Sequence, residues 1–215
     1  MLEILGHKNS ILDQIIAELR DKDIQSDSLR FRKNMELSGS IMAYEISKTL
    51  EYKTTEVSTT LGVTNVPVLI EYPVLITILR AGLPLHQGLL SVFNRSSNGF
   101  ISSYRQTNKN EEYVSKVEYI SSPEISNKVI IVSDPVMATG NSVVEALKEL
   151  FNIGNPSYTH IVTTICSEES IHNIKRNFSR KSITIWTIAV DDELTASAYL
   201  VPGLGDAGDL AFGNK

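Results

Sequence analysis

The segment that most restricts the fold of this chain is a short run of β-branched residues, Val129 to Val132. The run is apolar at consecutive positions, which is typical of a central strand in a parallel sheet, where both faces are buried. After Asp134, a loop of small and hydroxyl-bearing residues leads to a stretch in which Val143, Leu147 and Leu150 share one helical face. This succession of strand, loop and helix predicts an α/β fold.

Strand-like and helical stretches alternate on both sides of this unit. The strand-like runs are rich in β-branched and aromatic residues and lie at 74–79, 99–104, 113–119, 159–165 and 182–190. Helical stretches follow at 83–92 and 168–178. Since such alternation requires right-handed crossovers, we expect a central, mostly parallel sheet flanked by helices. The polar segment 106–112 predicts a β hairpin with a flexible loop.

The first fifty residues show helical spacing of a different kind. Apolar residues from Ile11 to Leu19 recur every three or four positions, with Ser10 available as the N-cap. A second helical stretch runs from about Ser28 to Leu50. No internal repeat, low-complexity tract or linker divides the chain. We therefore expect one domain, 1–215, with a helical N-terminal segment at 1–50 and a glycine-rich tail at 196–215.

Composition excludes several classes of protein. The 215 residues are 42% apolar and contain no apolar run of the roughly 18 residues that a membrane helix needs. The 25 acidic residues exceed the 20 basic ones, which argues against nucleic acid as a partner. The N-terminus lacks the basic-then-apolar order of a secretory signal, and there is a single cysteine, Cys166. A cytoplasmic location is expected.

The loop from Val132 to Ser142 is the first candidate for chemistry. Ligands in open α/β sheets bind beyond the carboxyl ends of the strands, and a helix N-terminus there attracts phosphate. Thr139 and Ser142 can add hydroxyl groups, whereas Asp134 would repel a phosphate and is better suited to accept hydrogen bonds from hydroxyl groups or to hold a metal-bound water. The alternative is an ordinary strand-to-helix turn capped by Thr139 or Asn141.

The tail contains the second candidate, Gly203-Leu204-Gly205-Asp206-Ala207-Gly208. It matches the dinucleotide-binding pattern, but only seven residues follow Gly208, so there is no room for the helix and the acidic residue that such a site requires. Glycines also let the backbone approach a flat ligand closely, so Pro202 to Gly208 can bind a small ring. A glycine-rich tail loop without function is the alternative.

Other residues are expected to be structural. Cys166 follows an apolar run, where a small buried residue suffices. His160 and Trp186 lie inside strand-like runs and are expected in the core. The consecutive acids Asp191, Asp192 and Glu193 predict a solvated turn, although they precede the tail closely enough to influence it.

Four ordered motifs carry a family resemblance. Residues 134–142 resemble the phosphoribosyl diphosphate loop of the type I phosphoribosyltransferases, and the Asp-Pro start is similar to that of the uracil phosphoribosyltransferases. The tail, 199–209 with 212–215, closely resembles the uracil-binding segment of that family. Ile78 to Pro84 resembles its diphosphate-binding turn, and Tyr104-Arg105 the start of its flexible loop.

The resemblance implies roles for individual residues. Those implied to be catalytic are Asp134, Arg105 and Asp206. Those implied to bind phosphoribosyl diphosphate are Arg80, Ala81, Gly82, Arg105, Asp134, Pro135, Val136, Met137, Ala138, Thr139, Gly140, Asn141, Ser142 and Asp206. Those implied to bind uracil are Leu200, Gly205, Asp206 and Ala207. Asn141, Gln106 and Leu210 depart from the family pattern, as does the loop 107–117.

The implied reaction converts uracil and phosphoribosyl diphosphate to UMP and diphosphate. The resemblance further implies Mg²⁺ held mainly by the substrate rather than by a dedicated metal site, a homodimer or higher homo-oligomer, and possible activation by GTP. Two alternatives remain open: a regulator of pyrimidine genes that binds the diphosphate or a nucleotide without turnover, and a phosphoribosyltransferase for another base. The acidic charge and the intact tail argue against the regulator.

Overall fold

The structure is a computed structural model that describes residues 1–107 and 113–214. Its strands are β1 (Leu2–Ile4), β2 (Tyr52–Ser58), β3 (Val63–Leu69), β4 (Val74–Leu79), β5 (Asn98–Thr107), β6 (Tyr113–Ser121), β7 (Val129–Ser133), β8 (Val136–Met137), β9 (Tyr158–Val162), β10 (Ile165–Ser167), β11 (Ile183–Thr187), β12 (Ala189–Asp191), β13 (Glu193–Leu194) and β14 (Leu200–Val201). Its helices are α1 (Ile11–Arg20), α2 (Ser28–Ser47), α3 (Leu83–Val92), α4 (Asn141–Ile153), α5 (Glu168–Asn177) and α6 (Ala207–Phe212).

The central sheet confirms the predicted α/β fold. In the part of the chain that the structure describes, it has seven strands in the order β1-β11-β9-β7-β4-β5-β6. All neighbouring pairs are parallel except β5 and β6, which form the predicted hairpin. No described helix combines the length and the apolar character needed to cross a bilayer.

Strand β7 is buried on both faces, as its sequence predicts. Ile131 belongs to a core cluster with α1, α2 and α3, whereas Ile130 and Val132 belong to a cluster with α4 and α5 on the other face. All three side chains are fully buried, and each such burial contributes roughly 1.5–3 kcal/mol. The two helical layers therefore hold β7 at the centre of the molecule.

The predicted α1 begins as expected, with Ser10 as its N-cap in a capping box completed by Asp13. Two elements of the N-terminal part were not predicted. Strand β1 has only three residues, too few for an alternation of apolar and polar residues to be recognised, and it pairs with β11 at one edge of the sheet. The hairpin of β2 and β3 is exposed at most positions, so it lacks the alternation of a half-buried strand.

The structural assignments of three residues are confirmed. Cys166 is fully buried, and burial raises the pKa of its thiol to about 11, so it is a poor nucleophile. His160 and Trp186 are buried, and the Trp186 Nε1–H donates to His160 Nδ1 at 3.0 Å. Burial lowers the pKa of His160 to about 4, so the ring is neutral near pH 7.

Two of the predicted strands are each divided into two. The run 159–165 ends its pairing in the central sheet at Val162 and continues as β10, and the run 182–190 continues after Thr187 as β12. Strand β10 pairs in parallel with β12 on one side and with β8 on the other. This small second sheet lies between the two segments that the sequence marks as candidate sites.

Close packing of α2 and α3 yields a stability prediction. A Cβ atom on Gly88 would lie 1.9 Å from the Glu36 carbonyl oxygen, which belongs to the backbone of α2 and cannot yield easily. We expect Gly88→Ala to lower the free energy of unfolding by about 3 kcal/mol, the upper end of overpacking costs. Urea denaturation measures this value. Gly62→Ala is the control, because no atom lies within 4 Å of its Cβ position. Equal stability of the two variants would contradict this account of the helix contact.

Candidate active site

The carboxyl ends of β4 and β7 and the tail surround a cavity of about 510 Å³. It is lined by Ile78, Leu79, Ala81, Ser103, Asp134, Pro135, Val136, Ala138, Ser142, Ser197, Ala198, Tyr199, Leu200, Leu204, Gly205, Asp206, Ala207 and Gly208. Because β4 and β7 are adjacent and parallel, their ends meet at one edge of the sheet. The cavity is therefore where a ligand of an open α/β sheet is expected.

The backbone of the loop 134–140 is held by neighbouring strands. The Asp134 N–H donates to the Val162 carbonyl at 3.0 Å, and the Pro135 carbonyl accepts from the Thr164 N–H at 2.9 Å. Val136 and Met137 then pair with β10. The loop therefore has a fixed shape before any ligand binds, and it places Asp134 at the cavity wall.

Gly140, rather than Thr139 or Asn141, is the N-cap of α4. Its φ of 75° is left-handed, which favours glycine, and an added Cβ would lie 3.1 Å from the Ser170 side chain. A glycine cap contributes no side-chain oxygen to the first turn of α4. The positive end of the helix dipole therefore faces the loop, an arrangement that favours a bound anion.

Asn141, which departs from the family pattern, has a structural partner. Its Oδ1 accepts from the Asn173 Nδ2 at 2.9 Å, and the same Nδ2 donates to the Thr139 carbonyl at 2.9 Å. Asn173 lies in α5, so the side chain at position 141 ties the start of α4 to the neighbouring helix. Met137, Thr139, Gly140 and Asn141 support the loop without lining the cavity.

The tail forms another part of the cavity wall. Leu200 and Leu204 are buried, with 7% and 2% of their surface exposed, and both line the cavity. Asp206 is the N-cap of α6, and its Oδ1 accepts from the Gly208 N–H at 2.9 Å and the Asp209 N–H at 3.1 Å. The short helix α6 was not predicted, because it has only six residues and one of them, Gly208, disfavours helix, so that its cap is needed to stabilise the first turn.

Arg80 lies beside the cavity, just after β4. Its Nη2 pairs with Asp209 Oδ1 at 2.9 Å and donates to the Gly213 carbonyl at 3.1 Å, so it joins this turn to α6. Its Nη2 is also 3.7 Å from the position of a Cβ on Gly208, a residue of the cavity wall. Gly82 allows the turn to pack tightly, since a Cβ there would lie 2.1 Å from Thr77 Oγ1.

The structure does not test the role of Arg105. Its backbone pairs with Ser115 between β5 and β6, but its side chain lies outside the described part of the structure, as do residues 108–112 of the predicted loop.

The prediction that Asp191 belongs to a solvated turn is wrong. Only 5% of its surface is exposed, because it ends β12 in the small sheet. Its two oxygens accept from Arg20 Nη1 at 2.9 Å and Nη2 at 2.6 Å, and Oδ2 also accepts from the Gly203 N–H at 3.0 Å. Both Arg20 and Asp191 were missed, since a run of three acids does not reveal which one is buried.

The donor atoms around the cavity suit a hard cation only in part. Among the described residues, no three acidic, histidine or cysteine side chains are grouped closely enough to hold a metal ion. Asp134 and Asp206 do line the cavity, and carboxylate oxygen is a ligand that Mg²⁺ prefers. The site therefore fits Mg²⁺ that takes most of its ligands from a bound substrate and from water.

Sequence comparisons identify the relatives of this chain. The sequence model of the family described as uracil phosphoribosyltransferase matches residues 7–214. A uracil phosphoribosyltransferase of Porphyromonas gingivalis is 45% identical over 211 residues, which are 98% of this chain and 97% of that relative. One of Pyrococcus furiosus is 37% identical over 93% of this chain and 85% of that relative.

Solved structures share the fold of this chain. The AQ2163 protein of Aquifex aeolicus superposes with a TM-score of 0.87 at 28% identity, over 99% of this chain and 98% of that one. An orotate phosphoribosyltransferase of Mycobacterium tuberculosis, solved with 5-phospho-α-D-ribosyl 1-diphosphate, gives a TM-score of 0.53 at 11% identity, over 86% of this chain and 92% of that one. This second likeness concerns the fold alone.

The cap of α6 gives a prediction that separates structure from charge. Asp206→Ala removes the acceptor of two backbone N–H groups, so we expect the free energy of unfolding to fall by about 1 kcal/mol. Asp206→Asn keeps an equivalent oxygen and should stay within a few tenths of a kcal/mol of the parent protein. Urea denaturation of both variants is the measurement. A loss of stability in Asp206→Asn as large as in Asp206→Ala would show that the charge, not the cap, stabilises the tail.

Proposed function

The chain belongs to the uracil phosphoribosyltransferase family, and we propose that it binds both substrates of that reaction in the cavity between the loop 134–142 and the tail. It transfers the phosphoribosyl group of 5-phospho-α-D-ribose 1-diphosphate to uracil and releases UMP and diphosphate. The observation that supports this placement is that one cavity is lined both by Asp134 and by the tail residues Leu200, Leu204, Gly205, Asp206 and Ala207. We propose that the chain performs this reaction as a single domain.

The 5-phosphate of the substrate would bind at the start of α4. The glycine cap and the helix dipole favour an anion there, Ser142 lines the cavity, and Thr139 lies in the same loop outside the cavity lining. Asp134 would then face the ribose, where its carboxylate accepts hydrogen bonds from hydroxyl groups. The diphosphate would lie toward Arg80. On binding, the guanidinium of Arg80 would either leave its ion pair with Asp209 or contact Asp209 and the diphosphate together. Arg105 is proposed as a second cation for the diphosphate.

Uracil would occupy the tail side of the cavity. Leu200 and Ala207 offer apolar contact, while the backbone around Gly205 offers N–H and C=O groups to the polar edge of the ring. Asp206 would lie between the base and the ribose. Uracil presents a donor at N3 and an acceptor at O4, and cytosine reverses both. A rigid backbone that pairs with uracil therefore leaves buried groups unpaired with cytosine, at about 1–3 kcal/mol each.

Catalysis in this arrangement is mostly positional and electrostatic. The anomeric C–O bond breaks and diphosphate leaves as positive charge develops on the ribose ring. The base nitrogen N1 forms the new C–N bond from the opposite side and gives up its proton to the departing diphosphate or to water, so the chain needs no covalent nucleophile. Asp134 and Asp206 both line the cavity, and their carboxylates would stabilise that positive charge. Mg²⁺ bound through the substrate, with Asp134 holding a metal-bound water, would neutralise part of the leaving diphosphate.

The exposed hairpin of β2 and β3 supports the proposal of a homodimer or higher assembly. Leu61 is 99% exposed and Val63 is 62% exposed, and an isolated two-stranded hairpin is only marginally stable in water. A second copy of the chain would cover these side chains. Activation by GTP and a cytoplasmic location remain predictions from the sequence.

Steady-state kinetics with a panel of bases tests the function. With equal concentrations of Mg²⁺ and phosphoribosyl diphosphate, we expect kcat/KM for uracil to exceed that for cytosine by roughly 10⁴-fold, because mismatched buried groups reject the wrong base. Hypoxanthine and guanine should be inactive, since their fused second ring does not fit a site closed around one ring.

Two results would contradict this assignment. A purine preferred over uracil would indicate a transferase for another base. Tight binding of phosphoribosyl diphosphate without UMP formation would indicate a regulator that binds this compound without turnover.

A further inference from the structure

Arg20 and Asp191 form a bidentate ion pair at the edge of the small sheet. Arg20 Nη2 lies 2.6 Å from Asp191 Oδ1, and Arg20 Nη1 lies 2.9 Å from Oδ2. The Asp191 side chain is 4% exposed and that of Arg20 is 23% exposed. Removing two charges from water is costly, so an ion pair this deeply buried requires good geometry and further hydrogen bonds.

Those further hydrogen bonds both go to the backbone of one residue, Gly203. Its N–H donates to Asp191 Oδ2 at 3.0 Å, and its carbonyl accepts from Arg20 Nη1 at 2.9 Å. Gly203 has a left-handed φ of 62°, and an added Cβ would lie 2.2 Å from the Leu200 carbonyl oxygen. No side chain fits at this position, so the ion pair fixes the tail through its backbone alone.

The held residue lies between the two parts of the tail that line the cavity. Leu200 precedes it, and Leu204 to Ala207 follow it. Gln25, which follows α1 in the chain, makes a second contact between this region and the tail. Its Nε2 donates to the Arg20 carbonyl at 3.0 Å, and its Oε1 is 3.7 Å from the Cβ position of Gly205. A shift of Gly203 would therefore move the backbone groups proposed to meet the base.

We propose that Arg20 and Asp191 are positioning residues for uracil, which set the location of the tail backbone without touching the ring. This inference rests on the proposed function, because it concerns the base side of the same cavity. The phosphoribosyl side is held by different contacts, those of the loop 134–140 with β9 and β10. The two substrates should therefore respond differently to loss of the ion pair.

Asp191→Asn and Arg20→Lys are the test variants. Asp191→Asn keeps an oxygen that can accept from the Gly203 N–H but removes the negative charge. Arg20→Lys keeps the positive charge but loses the planar guanidinium that donates to both oxygens of Asp191. We expect the KM for uracil to rise about tenfold or more, the effect of one lost hydrogen bond to a charged group. The KM for phosphoribosyl diphosphate should stay within about twofold, and the preference for uracil over cytosine should fall about tenfold.

A second bidentate pair on α1 provides a matched control. Arg30, in α2, donates to both oxygens of Glu18, in α1, at 2.9 and 3.0 Å, and among the described residues none of its hydrogen bonds goes to the tail. Arg30→Lys should leave both KM values and the base preference unchanged. All variants are assayed at a temperature where circular dichroism shows them folded, and Arg20→Lys retains the positive charge that Asp191 requires.

The outcomes separate this inference from the function on which it rests. If the parent protein forms UMP and both variants keep the parent KM for uracil, the positioning role is overturned while the function stands. Equal increases in both KM values would also overturn it, because they indicate a general structural defect. If the parent protein forms no UMP from uracil and phosphoribosyl diphosphate, the proposed function itself is overturned.

Discussion

Backbone pairing of β10 with both β8 and β12 is the constraint on which the arrangement of the site depends. Strand β8 belongs to the loop that follows Asp134, and β12 ends at Asp191, which holds the tail. Since hydrogen-bonded strands lie about 4.8 Å apart, the two outer strands are kept about 10 Å apart by main-chain hydrogen bonds alone. The loop 134–142 and the tail are thus attached to one small sheet, although residues 143–195 separate them in sequence.

Charged side chains further fix the position of the tail. Arg20, at the end of α1, and Asp191, at the end of β12, both bind the backbone of Gly203. Asp206 caps α6, and Asp209 pairs with Arg80. The Arg80–Asp209 pair is partly exposed, so its contribution to stability is small, about 0–1 kcal/mol. Its importance lies in geometry, because it places the cation after β4 next to the tail. Each half of the cavity is therefore in contact with the other before substrate binds.

The fold was predictable wherever burial imposes a pattern on the sequence. The sequence of β7 is an apolar run because two helical layers cover the strand. The beginning of α1 can be recognised in the sequence because Ser10 and Asp13 form a capping box. The hairpin of β2 and β3 and the helix α6 lack such a pattern, the first because it is exposed and the second because it has only six residues. Asp191 was misassigned because its burial depends on Arg20, a partner 171 positions away. Local sequence carries no signal of such a long-range contact.

A crystal structure of the protein with UMP tests the central claim most directly, since the product joins both halves of the site in one molecule. The account predicts that the phosphate of UMP lies at the start of α4, near Thr139 and Ser142, and that its pyrimidine contacts Leu200 and the backbone at Gly205. The ribose should then face Asp134. A pyrimidine bound away from the tail, or a phosphate bound away from α4, would contradict the assignment of this cavity as the active site.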